Sequence, residues 1–186
     1  KKAKMSRRKG NFVTFEELVK EVGRDAARFF FLAHSVDSHM DFDLTLAKER
    51  SQKNPVYYAQ YAFVRCLGIL HKLKVSARGG SAFGGKSHKS KVSPELLSTK
   101  EDTALIRLLA RLPEALRGTA EDYQVHRLTR YAIELARAFH DFYEKERIIG
   151  EKNADLAKAR LALVAATKII FEILFDILGI SKPKKM

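Results

Sequence analysis

A single cysteine, Cys66, is all the thiol chemistry this chain of 186 residues has. That excludes a disulfide framework and a cysteine zinc site within the chain, and fits a reduced, cytosolic setting. The six histidines show no HExxH or comparable ligand spacing, so His34, His39, His71, His126 and His140 read as packing or surface residues. The first residues given are charged rather than hydrophobic, so no secretory signal is expected among them. No run of alternating polar and apolar residues argues for strands. The longest apolar stretch, 161–180, is interrupted by Lys168, Glu172 and Asp176 at intervals of four. Three charges on one helical stripe describe an amphipathic helix entering a core, which excludes a membrane span.

What the chain does have is positive charge, and it is local. Formal net charge is +13, from 35 Lys+Arg against 22 Asp+Glu. Residues 1–10 carry six cations and no acid, and 71–93 carry Lys72, Lys74, Arg78, Lys86, Lys89 and Lys91, again with no acid. Residues 94–150, with nine cations and ten acids, are nearly neutral. Two basic stretches beside a neutral one point to a polyanionic partner. With 46% hydrophobic residues, most of the chain can build a core.

The periodicity predicts helices almost throughout. Thr14-Phe15-Glu16-Glu17 has the form of a capping box, opening a helix that carries Phe15, Leu18, Val19 and Val22 inward and stops at Gly23. A second helix begins near Asp25 with Ala26, Phe29, Phe30 and Ala33, and 35–43 reads as a loop. Asn54-Pro55 pairs a cap residue with proline at the first helical position, starting a helix to about Leu73. A basic, glycine- and serine-rich stretch spans 75–92. It either tracks a nucleic-acid backbone or is an insertion without a role, and its composition suits the second. Helix resumes after Ser93-Pro94, through 95–117 with a kink at Pro113. Two further helices cover about 122–147 and 154–178, the last ended by Gly179, with a turn at 150–153 between them. The expected fold is all-α: an antiparallel helical bundle from 54 to 186, preceded by a short helical connector at 1–53.

Two clusters carry candidate chemistry. Lys4, Arg7, Arg8 and Lys9 place fixed charge on a short segment ending at Gly10, suited to a polyphosphate. Within NPVYYAQYAFVR, residues 54–65, Tyr58, Tyr61 and Arg65 stand at i, i+3 and i+7, hence on one helical face. Tyrosine rings can stack on unpaired bases while arginine contacts phosphate or stacks. The same spacing also describes a packing face topped by a surface arginine.

The order of several segments carries a resemblance. Lys4-Met5-Ser6-Arg7-Arg8 resembles the KMSKS-type loop of a class I aminoacyl-tRNA synthetase. It is followed by VGRDAARFFFL, DSHMDFDLTLA, NPVYYAQYAFVR, FHDFYEKERI and the terminal ARLALVAATKIIFEILFDILGISKPKKM, and the series is similar to arginyl-tRNA synthetase over all but 75–92. The resemblance implies the end of a catalytic domain and its connector (1–53), then a DALR-type anticodon-binding domain (54–186). It implies that Lys4, Met5, Ser6 and Arg7 contact ATP, with Mg2+ as counter-ion. Arg7, standing where the general pattern has lysine, would meet the phosphates. It further implies that Tyr58, Tyr61, Arg65 and the terminal Met186 face the anticodon loop of arginine tRNA. The partners would be that tRNA and the catalytic domain of the same protein, in a cytoplasmic monomer, with no membrane. No HIGH-type signature or βαβ alternation is present, so these 186 residues alone are expected to make no adenylate. Two other readings compete. A related class I enzyme such as the cysteinyl one fits NPVYYAQYAFVR and LGISKPKKM less well. A stand-alone basic helical module, binding RNA or an acidic partner by charge, predicts that Tyr58 and Tyr61 are buried.

Overall fold

A computed structural model describes residues 14–78 and 92–186, with backbone alone for 73–78. Among them the chain is helical and has no strand. Residues 14–53, the stretch expected to be a connector, hold α1 (Phe15–Val22), α2 (Arg24–Leu32) and α3 (Leu44–Lys48). The bundle holds α4 (Pro55–Arg78), a 3-10 turn (Pro94–Leu96), α5 (Lys100–Ala110), α6 (Leu112–Asp122), α7 (His126–Lys145) and α8 (Ala154–Leu178).

Local chemistry sets most of these boundaries. The capping box at α1 forms in both directions, since Glu17 N–H donates to Thr14 Oγ1 at 3.2 Å and Thr14 N–H to Glu17 Oε2 at 2.8 Å. Gly23 ends α1 at φ 84°. In α2, Ala26, Ala27, Phe29 and Phe30 are buried, so the FFFL run is helical as expected. Asn54 is itself buried, and its amide donates to the carbonyls of Ala47 and Glu49 while its Oδ1 accepts from Val56 N–H. One side chain therefore starts α4 and ties α3 to it. Asn153 caps α8 by accepting from Asp155 and Leu156 N–H, and Gly179 closes that helix in the left-handed region.

Five expectations are corrected. Phe15 does not turn inward: it is 66% exposed, its ring 6.1 Å from the equally peripheral Phe31. Leu18, Val19 and Val22 are half-buried, so α1 lies on the core's edge. Ala33 is not inside α2 but is its exposed cap; the loop at 35–43 forms as expected and leads into α3, a five-residue helix too short to show a period, started by Asp43 accepting from Leu46 N–H. Helix α4 runs through Arg78 rather than stopping near Leu73, because no glycine or proline intervenes before Gly79. Residues 79–91 of the basic stretch lie outside the described residues. The single kinked helix over 95–117 is three pieces, with a fresh capping box at Thr99–Asp102 and a break at Arg111. Pro113 lacks the N–H that would continue α5, so it sits in the first turn of α6. Finally, α7 begins at His126 instead of 122, because α6 ends on Tyr123 in the left-handed conformation, φ 58°.

The core joins α4 (Phe63, Cys66, Ile69), α7 (Leu128, Leu135, Phe139, Phe142) and α8 (Phe171, Leu174, Phe175, Leu178), with Leu105 of α5 and Phe29 of α2. Aromatic pairs fill its centre, Phe63 meeting Phe175 edge-on at 5.5 Å and Phe171 meeting Phe175 at 5.6 Å. Burial pushes the Cys66 thiol pKa up, leaving an inert core residue. The charged stripe of α8 stays outside as expected, Lys168 pairing with Glu172 at 2.8 Å and Asp176 with Lys182 at 2.6 Å. No described helix is long and apolar enough to cross a membrane.

Candidate nucleic-acid interface

Helix α4 places Tyr58, Tyr61 and Arg65 on one face, as their spacing predicts, and α7 lies against that face with His140 and Tyr143. All three α4 residues and Tyr143 are half-buried, whereas His140 is 6% exposed. The face is thus neither the open platform of a pure stacking site nor the closed seam that a charge-only module predicts. Tyr58 leans furthest in, its ring 4.9 Å from the His140 imidazole. Burial raises its phenol pKa; Arg137 opposes that rise, while Asp141 and Glu144 add to it. Tyr61 lies 5.7 Å from the same imidazole and is stacked on Tyr57 at 6.4 Å with ring planes 8° apart.

Arg65 is the electrostatic centre. Its Nη2 donates to Tyr61 Oη at 2.7 Å, and its guanidinium lies over two rings, Tyr61 at 4.8 Å and Tyr143 at 4.6 Å. Among the described residues no carboxylate pairs with it. Beneath it His140 Nε2 is buried without a hydrogen-bond partner. Burial, with the Arg65 charge second, pushes the His140 pKa down to about 4, so the imidazole is neutral near pH 7. A half-buried cation, unmatched by any acid and framed by tyrosine rings, can accept an anionic ligand at its N–H edges.

The tail passes close by. Ser181 is held by α2 and α4: its N–H donates to Asp25 Oδ1 at 3.1 Å, its hydroxyl to Asp25 Oδ2, and Gln60 Nε2 bonds both Asp25 Oδ2 (2.8 Å) and Ser181 O (3.1 Å). Gln60 immediately precedes Tyr61, so the tail leaves α8 beside α4. Met186 is 45% exposed, and no hydrogen bond or ring contact joins it to the tyrosine cluster. Lys4, Met5, Ser6 and Arg7 lie outside the described residues.

The spacing on α4 predicts that Tyr58, Tyr61 and Arg65 share a face, and they do; it carries no sign that Tyr143 of α7 lies beside Arg65. His140 was placed correctly as a packing residue, but not beneath this face. The only signal for either was FHDFYEKERI, where Phe139, His140 and Tyr143 share a helical face. A second concavity, about 390 Å³, opens between α2, α3 and α4 and is lined by Arg24, Asp25, Lys48, Arg50, Tyr57 and Gln60. Among the described residues no cluster of His, Cys, Asp or Glu could hold a metal.

Residues 59–186 match the family model of the DALR anticodon binding domain, a span that contains Tyr61, Arg65, His140, Tyr143 and Met186. The arginine–tRNA ligase of Citrifermentans bemidjiense is 45% identical over 182 residues, 98% of this chain and 32% of that protein. That of Bacillus cereus is 41% identical over 185 residues, 100% of this chain and again 32% of the relative. The chain therefore spans about a third of the length of these relatives. A solved structure described as an arginyl-tRNA synthetase of Campylobacter jejuni superposes with TM-score 0.77 at 26% identity, covering 99% of this chain and 37% of that one. The Thermus thermophilus arginyl-tRNA synthetase shares the fold, with TM-score 0.71 at 23% identity over 97% of this chain and 29% of its own.

Proposed function

The chain belongs to the DALR anticodon-binding family and to the arginine–tRNA ligases, and from that membership we propose that its bundle binds the anticodon region of arginine tRNA. The observation that carries this reading is Arg65, an arginine with no counter-charge among the described residues, framed by Tyr61 and Tyr143 inside the span matching the DALR domain. Tyr58 and Tyr61 supply ring surface to unpaired bases, and Arg65 and the cations concentrated in 1–10 and 71–93 supply phosphate contacts. Met186 completes the proposed set of anticodon-contacting residues, at the end of a tail that Ser181 ties to Asp25 of α2 and Gln60 of α4.

In the whole protein the reaction is ligation of arginine to its tRNA with ATP, through an arginyl-adenylate. Lys4 and Arg7, on a segment of cations without an acid, suit a triphosphate with its Mg2+ counter-ion; they bind and neutralise phosphoryl charge as pyrophosphate leaves. Met5 and Ser6 complete that loop. The 186 residues alone make no adenylate, which an ATP–pyrophosphate exchange assay at the whole enzyme's rate would contradict. The setting is cytoplasmic, with Cys66 reduced, and the protein acts as a monomer.

The decisive experiment is titration of the chain with arginine tRNA and with a tRNA of different anticodon, at two salt concentrations. The expected result is a preference for arginine tRNA that persists in added salt and falls with Tyr61→Ala. Equal binding of both that vanishes with salt counts against base recognition by this face.

A further inference from the structure

We propose that the cleft between the end of α2 and the first half of α7 is a second RNA site, where Arg130 and Arg137 take backbone phosphodiesters of the paired stem beside the loop. The inference rests on the RNA-binding reading and adds a site on a different pair of helices, with its own ligand chemistry. The cleft encloses about 290 Å³ between Ala33, the cap of α2, and a stripe of α7 that includes His126, Arg130, Ile133, Glu134 and Arg137. Cations elsewhere on α7 are answered, Arg127 by Asp122 at 2.7 Å and Lys145 by Glu101 at 2.6 Å. Arg130 and Arg137 are exposed and have no ion pair among the described residues. Seven residues are close to two helical turns, so the two guanidiniums share a face and start about 10 Å apart along the axis. Donors set out in a line suit a run of phosphates, whereas a single small anion needs donors that converge.

Glu134 lies between them, one turn from each, and pairs with neither. Half-buried in the wall of the cleft, it repels an anion that enters deeply and leaves the two arginine ends as the attractive positions. At the near end, His126 Nδ1 is shielded from water without a hydrogen-bond partner. The other end meets the tyrosine face, since the charge of Arg137 acts on the Tyr58 phenol. Arg130 stands ten residues before His140, so the stripe runs about 15 Å along α7 away from the rings. That distance carries it past a nucleotide stacked at Tyr58 or Tyr61. The stripe offers no tyrosine or phenylalanine to stack on a base, and a duplex backbone concentrates more charge than a single strand.

The test titrates the chain across salt with two RNAs, the anticodon stem-loop of arginine tRNA and its unpaired loop as a single-stranded oligonucleotide. The variants are Arg130→Gln, Arg137→Gln, Glu134→Gln, Tyr61→Ala and, as a matched control, Arg107→Gln, which removes an exposed arginine of α5 outside the cleft. Each cleft arginine variant is expected to weaken the stem-loop about three- to tenfold and to lower its slope of log affinity against log salt by about one. The oligonucleotide should change by less than about twofold. Glu134→Gln should strengthen the stem-loop about threefold, a gain that damage to the fold cannot produce. Equal losses for both RNAs, or a loss as large from Arg107→Gln, would mean attraction at a distance and overturn the site. Weaker stem-loop binding by Glu134→Gln overturns the arrangement of charges. If Tyr61→Ala weakens both RNAs while the cleft variants change nothing, the cleft alone is wrong; if none of the variants changes either RNA, the RNA-binding reading falls with it.

Discussion

His140 couples the candidate interface to stability through its proton. Its pKa stands at about 4, pushed down first by burial and then by Arg65, with Asp141 opposing. In the unfolded chain an imidazole titrates near 6.5. Above that value neither state carries the proton, and the stability of the folded state is fully present. As pH falls from 6.5 towards 4, the unfolded chain binds a proton that the folded chain refuses, so stability declines. The loss attributable to this group is about 2 kcal/mol by pH 5, because that pH lies roughly 1.5 units below the unfolded value, at about 1.4 kcal/mol each, while the folded imidazole is still largely unprotonated. Urea unfolding at pH 7 and pH 5 is expected to show a smaller difference between the two for His140→Leu than for the parent. Equal differences in both would mean that the imidazole titrates normally in the fold. Gly179 is a second position where one residue type is required. It closes α8 at φ 65°, and a Cβ there would meet Arg28 Nε at 2.5 Å. That same Nε donates to Leu178 O at 2.6 Å, so Arg28 has no room to move without losing the helix-end carbonyl. Gly179→Ala should therefore cost about 2 kcal/mol, combining left-handed strain of about 1 kcal/mol with a displaced Arg28. A change under about 0.5 kcal/mol in urea would show that the tail simply readjusts.

Between elements, the strongest electrostatic joint is Arg160 of α8. It is 5% exposed and answers three acids: Asp102 in the first turn of α5 (3.6 Å), Glu146 at the end of α7, and Glu151 in the turn before α8 (3.7 Å). Its Nη1 also donates to Arg147 O at 2.9 Å. Asp102 Oδ1 and Arg160 Nε face each other just beyond hydrogen-bond reach and have no other bond, so their attraction is purely ionic. Removing the cation alone leaves Asp102, wholly buried, beside two further carboxylates. Arg160→Met is expected to cost about 3–5 kcal/mol. Asp102→Asn paired with it should recover part of that loss, and a stable Arg160→Met single variant would show that water reaches the acids. This joint was not legible from spacing, since Arg160 meets acids from three separate segments, Asp102 among them from far back in the chain. The helices themselves were legible where both ends carry chemical punctuation: Asn153 and Gly179 bound α8, and Asn54-Pro55 starts α4. Where punctuation is weak, reading failed in definable ways. Five residues of α3 cannot display a period, and Phe15 follows the apolar stripe of α1 while the helix sits on the edge of the core. On the candidate face, the grouping of Tyr58, Tyr61 and Arg65 was visible because they share a helix. Tyr143 was not, because helix-to-helix register is set by packing rather than by local spacing.

At the scale of the molecule, the connector and the bundle are joined by their polar contacts as well as by apolar packing. Phe29 and Phe30 of α2 enter the same core as α4, α7 and α8. Asp25 binds Ser181 and Gln60 at once, and Arg28 holds the end of α8, so two residues of α2 fasten both the first and the last helix of the bundle. The outer side of α1 and α2 is different, with Phe15 and Phe31 exposed at 66% and 44% and their rings in contact. If α2 were merely an appendage, it would melt before the bundle; its contacts predict that it melts with it. Thermal unfolding followed by far-UV circular dichroism and by the near-UV tyrosine signal is expected to give one coincident midpoint. Asp25→Ala should lower both signals together, because it leaves Ser181 and Gln60 with unmatched donors in a partly buried joint, at about 2 kcal/mol. An early loss of helix in Asp25→Ala, with protease cutting between 14 and 53 while the tyrosine signal stands, would instead make the connector a separately folding unit.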